Sequence, residues 1–143
     1  MARFEPVIVA FACHYCAYTA ADMAGTLRLA YPANVKIVKV PCTGKVDTLH
    51  IMRALQRGAD GVLVAGCLEG DCHFVNGNLR AKKRVAYVQE LLEAIGIGQD
   101  RVRLAFMSAG QGQEFARVAT EFTEQVRELG PNPVVAGAKK AAA

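Results

Sequence analysis

Cys13, Cys16, Cys42, Cys67 and Cys72 are the residues of this chain whose type and spacing could do chemistry. Cys13-His-Tyr-Cys16 is a C-x-x-C, a spacing shared by zinc sites, iron–sulfur clusters and thioredoxin-like redox pairs. Cys67-Leu-Glu-Gly-Asp-Cys72 is a C-x4-C, which plant-type ferredoxins also use, although their remaining spacing differs from this chain's. Five thiols cannot all pair within one chain, and the segment Met1–Pro6 runs into a strand-like stretch without an apolar secretory core. The expected location is cytoplasmic, where a disulfide framework is a poor use of cysteine.

The elements that must position these thiols are legible in the apolar pattern. Four short runs rich in β-branched residues, Val7–Ala12, Val35–Val40, Gly61–Ala65 and Val102–Met107, read as strands. Each precedes a helical pattern. The first shows Ala20, Met23, Ala24, Leu27 and Tyr31 on one face, with Thr19 and Asp22 as a capping pair and a stop at Tyr31-Pro32. The second starts at Asp47 as N-cap, buries Ile51, Met52 and Leu55, and ends at Gly58. The third runs through Ala81, Val85, Val88, Leu92 and Ile95, and the fourth through Phe115, Val118, Phe122, Val126 and Leu129. Alternating strands and helices predict a single-domain α/β fold. It is an open parallel four-stranded sheet with helices on both faces, flavodoxin-like, in the order 2-1-3-4.

Residues 1–130 are expected to form that domain, followed by a flexible Pro/Gly/Ala-rich tail over 131–143. A chain of 143 residues, 52% apolar, suits one core, and no stretch is long and apolar enough for a membrane span. The formal charge of +4 includes Lys139 and Lys140 of the tail, and no nucleic-acid-binding motif accompanies it.

In a parallel sheet the carboxyl ends of all strands lie along one edge, where open α/β folds bind ligands. Cys13 and Cys16 follow the first strand, Cys42 the second, and Cys67 and Cys72 the third, so all five sulfurs should meet there. Helix N-termini face the same edge and favour thiolates. Four thiolates can hold zinc or an iron–sulfur cluster. The net charge of an oxidised [2Fe–2S] centre with four thiolates, about −2, suits a rim of helix N-termini and the backbone N–H groups of Gly44, Gly66 and Gly70. The pattern favours a cluster over zinc, because structural zinc sites usually draw two short-spaced pairs from knuckles or ribbons. Two rivals stand beside it: a thiol–disulfide oxidoreductase using Cys13 and Cys16, and a zinc-stapled adaptor.

Other features carry less. His14 and His73 flank cysteines without the C-x-H motifs of a Rieske centre, and read as tuning or backbone-bonding groups. His50 reads as a surface or packing residue of the second helix. Gly110-Gln-Gly112 lacks the third glycine and the acidic residue of a dinucleotide site. Arg80-Ala-Lys-Lys-Arg84 reads first as a solvated basic face and secondarily as a docking patch for an acidic partner. Tyr15, Tyr18 and Phe74 interleave the cysteine loops and could shield a cluster or touch a partner.

The segments Phe11–Gly25, Cys42-Thr-Gly-Lys-Val-Asp47, Gly58-Ala-Asp-Gly61 and Gly66-Cys-Leu-Glu-Gly-Asp-Cys-His-Phe74 resemble the methyl-viologen-reducing hydrogenase delta-subunit family. So do Tyr31-Pro32, Gly77-Asn78, Ala81-Lys-Lys-Arg84, Arg103-Leu104 and Ser108-Ala109, and all five cysteines match. The resemblance implies an electron-transfer subunit carrying a [2Fe–2S] cluster on four of the five cysteines, with no substrate site of its own. The expected partners are a hydrogenase, formate dehydrogenase or methylenetetrahydrofolate reductase-like subunit on one side. On the other stands the flavin-containing heterodisulfide reductase A-like subunit of an electron-bifurcating complex. Pro41, Thr43, Lys45 and Leu68-Glu69 depart from the family pattern and leave the ligands untouched. The fifth, non-ligating place falls to Cys42 or Cys16, between which the sequence gives no rank.

Overall fold

The computed structural model describes residues 4–72 and 74–134. Its strands are β1 (Ile8–Cys13), β2 (Val35–Val40), β3 (Gly61–Gly66) and β4 (Val102–Phe106). The helices are α1 (Ala17–Thr26), α2 (Thr48–Gln56), α3 (Gly77–Ala94) and α4 (Gly112–Leu129), with 3-10 turns at Thr43–Lys45 and Gln99–Arg101. The strands pair in parallel in the order β2-β1-β3-β4, the flavodoxin-like order expected, which the apolar pattern by itself does not encode.

All six residues of β3 are buried, which explains why its sequence is an unbroken apolar run rather than an alternation. Ile8, Ala10, Leu63 and Ala65 pack with α1 and α4 on one face of the sheet, while Val62 and Val64 pack with α2 and α3 on the other. Small residues let the helices approach closely. α1 buries Ala17, Ala20, Ala21 and Ala24, and a Cβ on Gly112 of α4 would lie 3.0 Å from the Ala24 nitrogen.

Local chemistry sets the helix ends. Asp47 caps α2 by accepting from the Thr48 N–H at 2.7 Å, and His50 Nδ1 accepts the Asp47 N–H at 3.0 Å to complete a capping box. His50 is therefore a cap, not merely a surface residue. Helix α1 differs more from expectation. It starts at Ala17 behind Cys16, and Thr19 instead donates its hydroxyl to the His14 carbonyl at 3.1 Å. It ends at Thr26, because Arg28 takes a left-handed φ of 56° and turns the chain back. Tyr31 then packs edge-on against Phe115 across 5.4 Å as part of the returning segment. Leu27, Ile95 and Leu129, each expected on a buried face, are exposed at helix ends.

Packing continues past Gly130. Asn132 is fully buried, its side-chain amide donates to the Leu55 and Ala59 carbonyls, and its backbone N–H meets Asp60 Oδ1 at 2.9 Å. Buried Arg101 donates to the Asp60, Gly130 and Pro131 carbonyls beside it. The start of the expected tail thus belongs to the fold, and residues 135–143 of it lie outside the described residues.

Candidate metal centre

Each cysteine arrives at the carboxyl edge by a different local device. Cys13 is the last residue of β1, Cys16 occupies the N-cap of α1, and Cys67 directly follows β3. Cys42 caps the Thr43–Lys45 turn, its sulfur accepting from the Gly44 N–H at 3.4 Å. Cys72 lies in the loop that leads to α3. Four of the five are buried and Cys72 is half-buried.

Two close sulfur pairs join different loops rather than neighbours in sequence. Cys13 Sγ is 3.7 Å from Cys67 Sγ, and Cys42 Sγ is 3.7 Å from Cys72 Sγ. Cys16 completes a triad with Cys13 and Cys67 in which all three sulfurs lie within 4.8 Å of one another. β1 and β3 are adjacent strands, with Ala12 opposite Ala65, and this adjacency brings Cys13 to Cys67. A tetrahedral metal with sulfur bonds of about 2.3 Å holds two ligand sulfurs about 3.8 Å apart. Both cross-loop pairs already stand at that spacing.

The thiols are electrically uneven. Cys13 is lowered to about 5, chiefly because the Cys16 thiol donates to it, with burial opposing and the Tyr15 N–H and Cys67 assisting. Cys16 is correspondingly raised, by that same bond first and by burial second. Burial raises Cys42 despite the Gly44 N–H. Burial would also raise Cys72, but the N–H groups of Asn78 and Phe74, the Cys42 thiol and the Gly77 N–H together hold it below its usual value. Each close pair thus contains one sulfur whose thiolate form its neighbours favour over that of an ordinary cysteine.

Three further observations fit a sulfur-ligated group. A Cβ on Gly77 would collide with Cys42 Sγ and lie 3.3 Å from Cys72 Sγ, so the first residue of α3 has room only for hydrogen beside the second pair. Gly44 and Gly77 meet backbone to backbone, with a Cβ on Gly44 3.0 Å from Gly77 Cα. Thr43, next to Cys42, is 1% exposed, and its Oγ1 has no hydrogen-bond partner among the described residues. A buried hydroxyl without a partner costs about 1–3 kcal/mol, so native proteins seldom keep one idle.

Supporting side chains hold these loops. Asn78 is fully buried and donates to the Cys67 and Leu68 carbonyls at 3.0 and 2.9 Å, fixing the β3–α3 loop. Arg84 donates to the Gly44 carbonyl, and to the Val46 carbonyl at 3.3 Å, fixing the β2–α2 loop. The basic stretch is therefore not uniform: Arg84 is a clamp, Lys82 pairs with Glu69 at 2.8 Å, and Arg80 lines an open cleft. Of the expected glycine donors only Gly44 reaches a sulfur. Gly66 instead leaves space for Thr43, whose Oγ1 would lie 2.9 Å from a Cβ there, and Gly70 serves a turn with φ 90°. Gly77, Asn78 and Thr43 had no assigned role from sequence, although the pair Gly77-Asn78 at the start of a helix pattern was a usable signal. His14 is exposed, and His73 lies outside the described residues.

No described helix is long and apolar enough to cross a membrane. The family model described as methyl-viologen-reducing hydrogenase, delta subunit, matches residues 8–130. The chain is 48% identical over 132 residues to the D-type iron-sulfur subunit of the vhu F420-non-reducing hydrogenase from Methanocaldococcus jannaschii, covering 92% of this chain and 98% of that protein. It is 51% identical over 129 residues to the D-type iron-sulfur subunit of the F420-non-reducing hydrogenase from Archaeoglobus profundus, covering 90% and 94%. It is also 40% identical over 126 residues to the A-type subunit of the ferredoxin:CoB-CoM heterodisulfide reductase from Methanosarcina mazei, covering 88% of this chain but 16% of that longer one. With both the ordered cysteine loops and the matched length in agreement, this chain belongs to the methyl-viologen-reducing hydrogenase delta-subunit family.

Proposed function

We propose that this protein is an electron-relay subunit that holds a [2Fe–2S] cluster on Cys13, Cys67, Cys42 and Cys72, with Cys16 as the additional thiol. The observation that carries the reading is the two cross-loop sulfur pairs, each 3.7 Å apart, on one edge of the sheet. Two pairs match the demand of a two-iron centre for two thiolates on each iron. The names of the relatives support iron and sulfur over zinc. When bound, such a centre supplies one-electron transfer.

The chain's own residues do the rest. β1 and β3 set the first sulfur pair, and Arg84 and Asn78 hold the loops that bring the second. Buried Cys13 and Cys67 keep water from one side, while half-buried Cys72 leaves the other close to the surface for electron exchange. The Gly44 N–H on Cys42 Sγ provides a donor that stabilises added negative charge. Cys16, bonded to Cys13, steers the proton balance of that pair. One partner in this reading is a hydrogenase, formate dehydrogenase or methylenetetrahydrofolate reductase-like protein. The other is the flavin-containing heterodisulfide reductase A-like protein, which the match to a segment of such a reductase supports.

The test is a serine series at the five cysteines, purified without oxygen and read by iron content and visible absorption. Cys16→Ser should keep the iron and the chromophore, whereas serine at each of the other four should remove or alter both. A chromophore that survives every single replacement, or zinc in place of iron in the unmutated protein, refutes the assignment.

A further inference from the structure

Between Cys72 and α3 one residue takes a strained backbone conformation. Val75 holds a left-handed φ of 69°, which a β-branched side chain adopts only under constraint, and it is 80% exposed. Phe74 beside it in the chain is 49% exposed and Leu79, four residues on, 41%, and the Phe74 ring lies edge-on to that of Tyr15, itself 44% exposed, at 6.0 Å. The Val75 N–H donates to the Cys72 carbonyl at 3.0 Å, so this apolar patch borders the half-buried cysteine.

Cations line the clefts beside the patch. A cleft of about 510 Å³ beside it is lined by Lys45, Arg80 and Arg84, and a shallower one beyond Pro41 by Lys39. The acid in the lining, Asp47, is engaged in capping α2. An apolar centre with a cationic rim is the form of a protein-docking surface rather than of a solvated face. Its complement is an acidic rim around an apolar centre.

We infer that the Tyr15–Phe74–Val75–Leu79 patch and its Lys39/Lys45/Arg80 rim dock the acidic surface of a redox protein, placing that protein's own electron carrier against the Cys42–Cys72 side. This rests on the electron-relay reading, and it assigns one contact side of the relay. The rim cations steer encounter, and the apolar centre sets the lifetime of the complex. The left-handed turn at Val75 presents its side chain at the exposed tip, where the partner docks.

The test uses the whole iron-loaded protein and, as probe, the heterodisulfide reductase A-like flavoprotein of the source organism, with association followed by interferometry at low and moderate salt. Lys45→Glu with Arg80→Glu should slow association about tenfold at low salt and flatten its salt dependence. Val75→Ser with Leu79→Ser should speed dissociation about tenfold with little change in association. Iron content and visible spectrum should match the unmutated protein in both. Rates unchanged in both double variants, an unmutated protein that does not bind the flavoprotein, or a patch that drives self-association in sedimentation instead, would each overturn the docking assignment. If the variants weaken binding as expected but no protein form holds iron, docking stands and the cluster reading fails.

Discussion

At the scale of single residues, Gly77 supports the proposal that the thiols form a built site rather than a chance gathering. Alanine at Gly77 would favour the helix by roughly 1 kcal/mol, yet its methyl would strike Cys42 Sγ. Gly77→Ala should therefore keep helical circular dichroism while lowering iron per chain, a combination that general unfolding does not produce. The residue types at the site were legible from sequence, but their pairing was not. Spacing groups Cys13 with Cys16 and Cys67 with Cys72, whereas the fold also sets Cys13 Sγ 3.7 Å from Cys67 Sγ and Cys42 Sγ 3.7 Å from Cys72 Sγ. Strand adjacency, which spacing does not encode, brings the first of these pairs together.

At the scale of elements, apolar periodicity carried most of the fold because each strand and helix buries one continuous face. β3 and α4 are the clearest cases, the first buried throughout and the second through Phe115, Val118, Phe122 and Val126. Helix ends were less legible where they depend on a single backbone conformation. The turn at Arg28 ends α1 before Tyr31 and leaves no mark in hydropathy, whereas the Asp47 cap was visible as a residue type. Asp47→Ala should cost about 1 kcal/mol of stability, measured by urea denaturation, from loss of the cap. His50→Ala should cost less, since the Asp47 carboxylate keeps its own bond to the helix. The element that supports Cys42 follows different logic: Arg84 ties the Thr43–Lys45 turn to α3, so charge that looked merely solvated is structural.

At the scale of the whole molecule, the two ends of the sheet divide the work. The carboxyl edge gathers the thiols, and the opposite edge is locked by Asp60, Arg101 and Asn132 through buried hydrogen bonds. A Pro/Gly/Ala-rich composition after Gly130 hid the role of Asn132, because one buried amide does not alter a compositional signal. Asn132→Ala keeps the backbone bond to Asp60 but strands the Leu55 and Ala59 carbonyls. It should destabilise the protein by about 2–3 kcal/mol in urea denaturation, while iron content at the far edge stays the same. The central claim, that four sulfurs from three loops hold one two-iron centre, is tested most directly on protein purified without oxygen. Iron and sulfide are quantified and electron paramagnetic resonance is recorded before and after dithionite. The account predicts about two iron and two sulfide per chain, silent when oxidised and giving one spin-half signal when reduced. A colourless protein with zinc, or with neither iron nor sulfide, would contradict it.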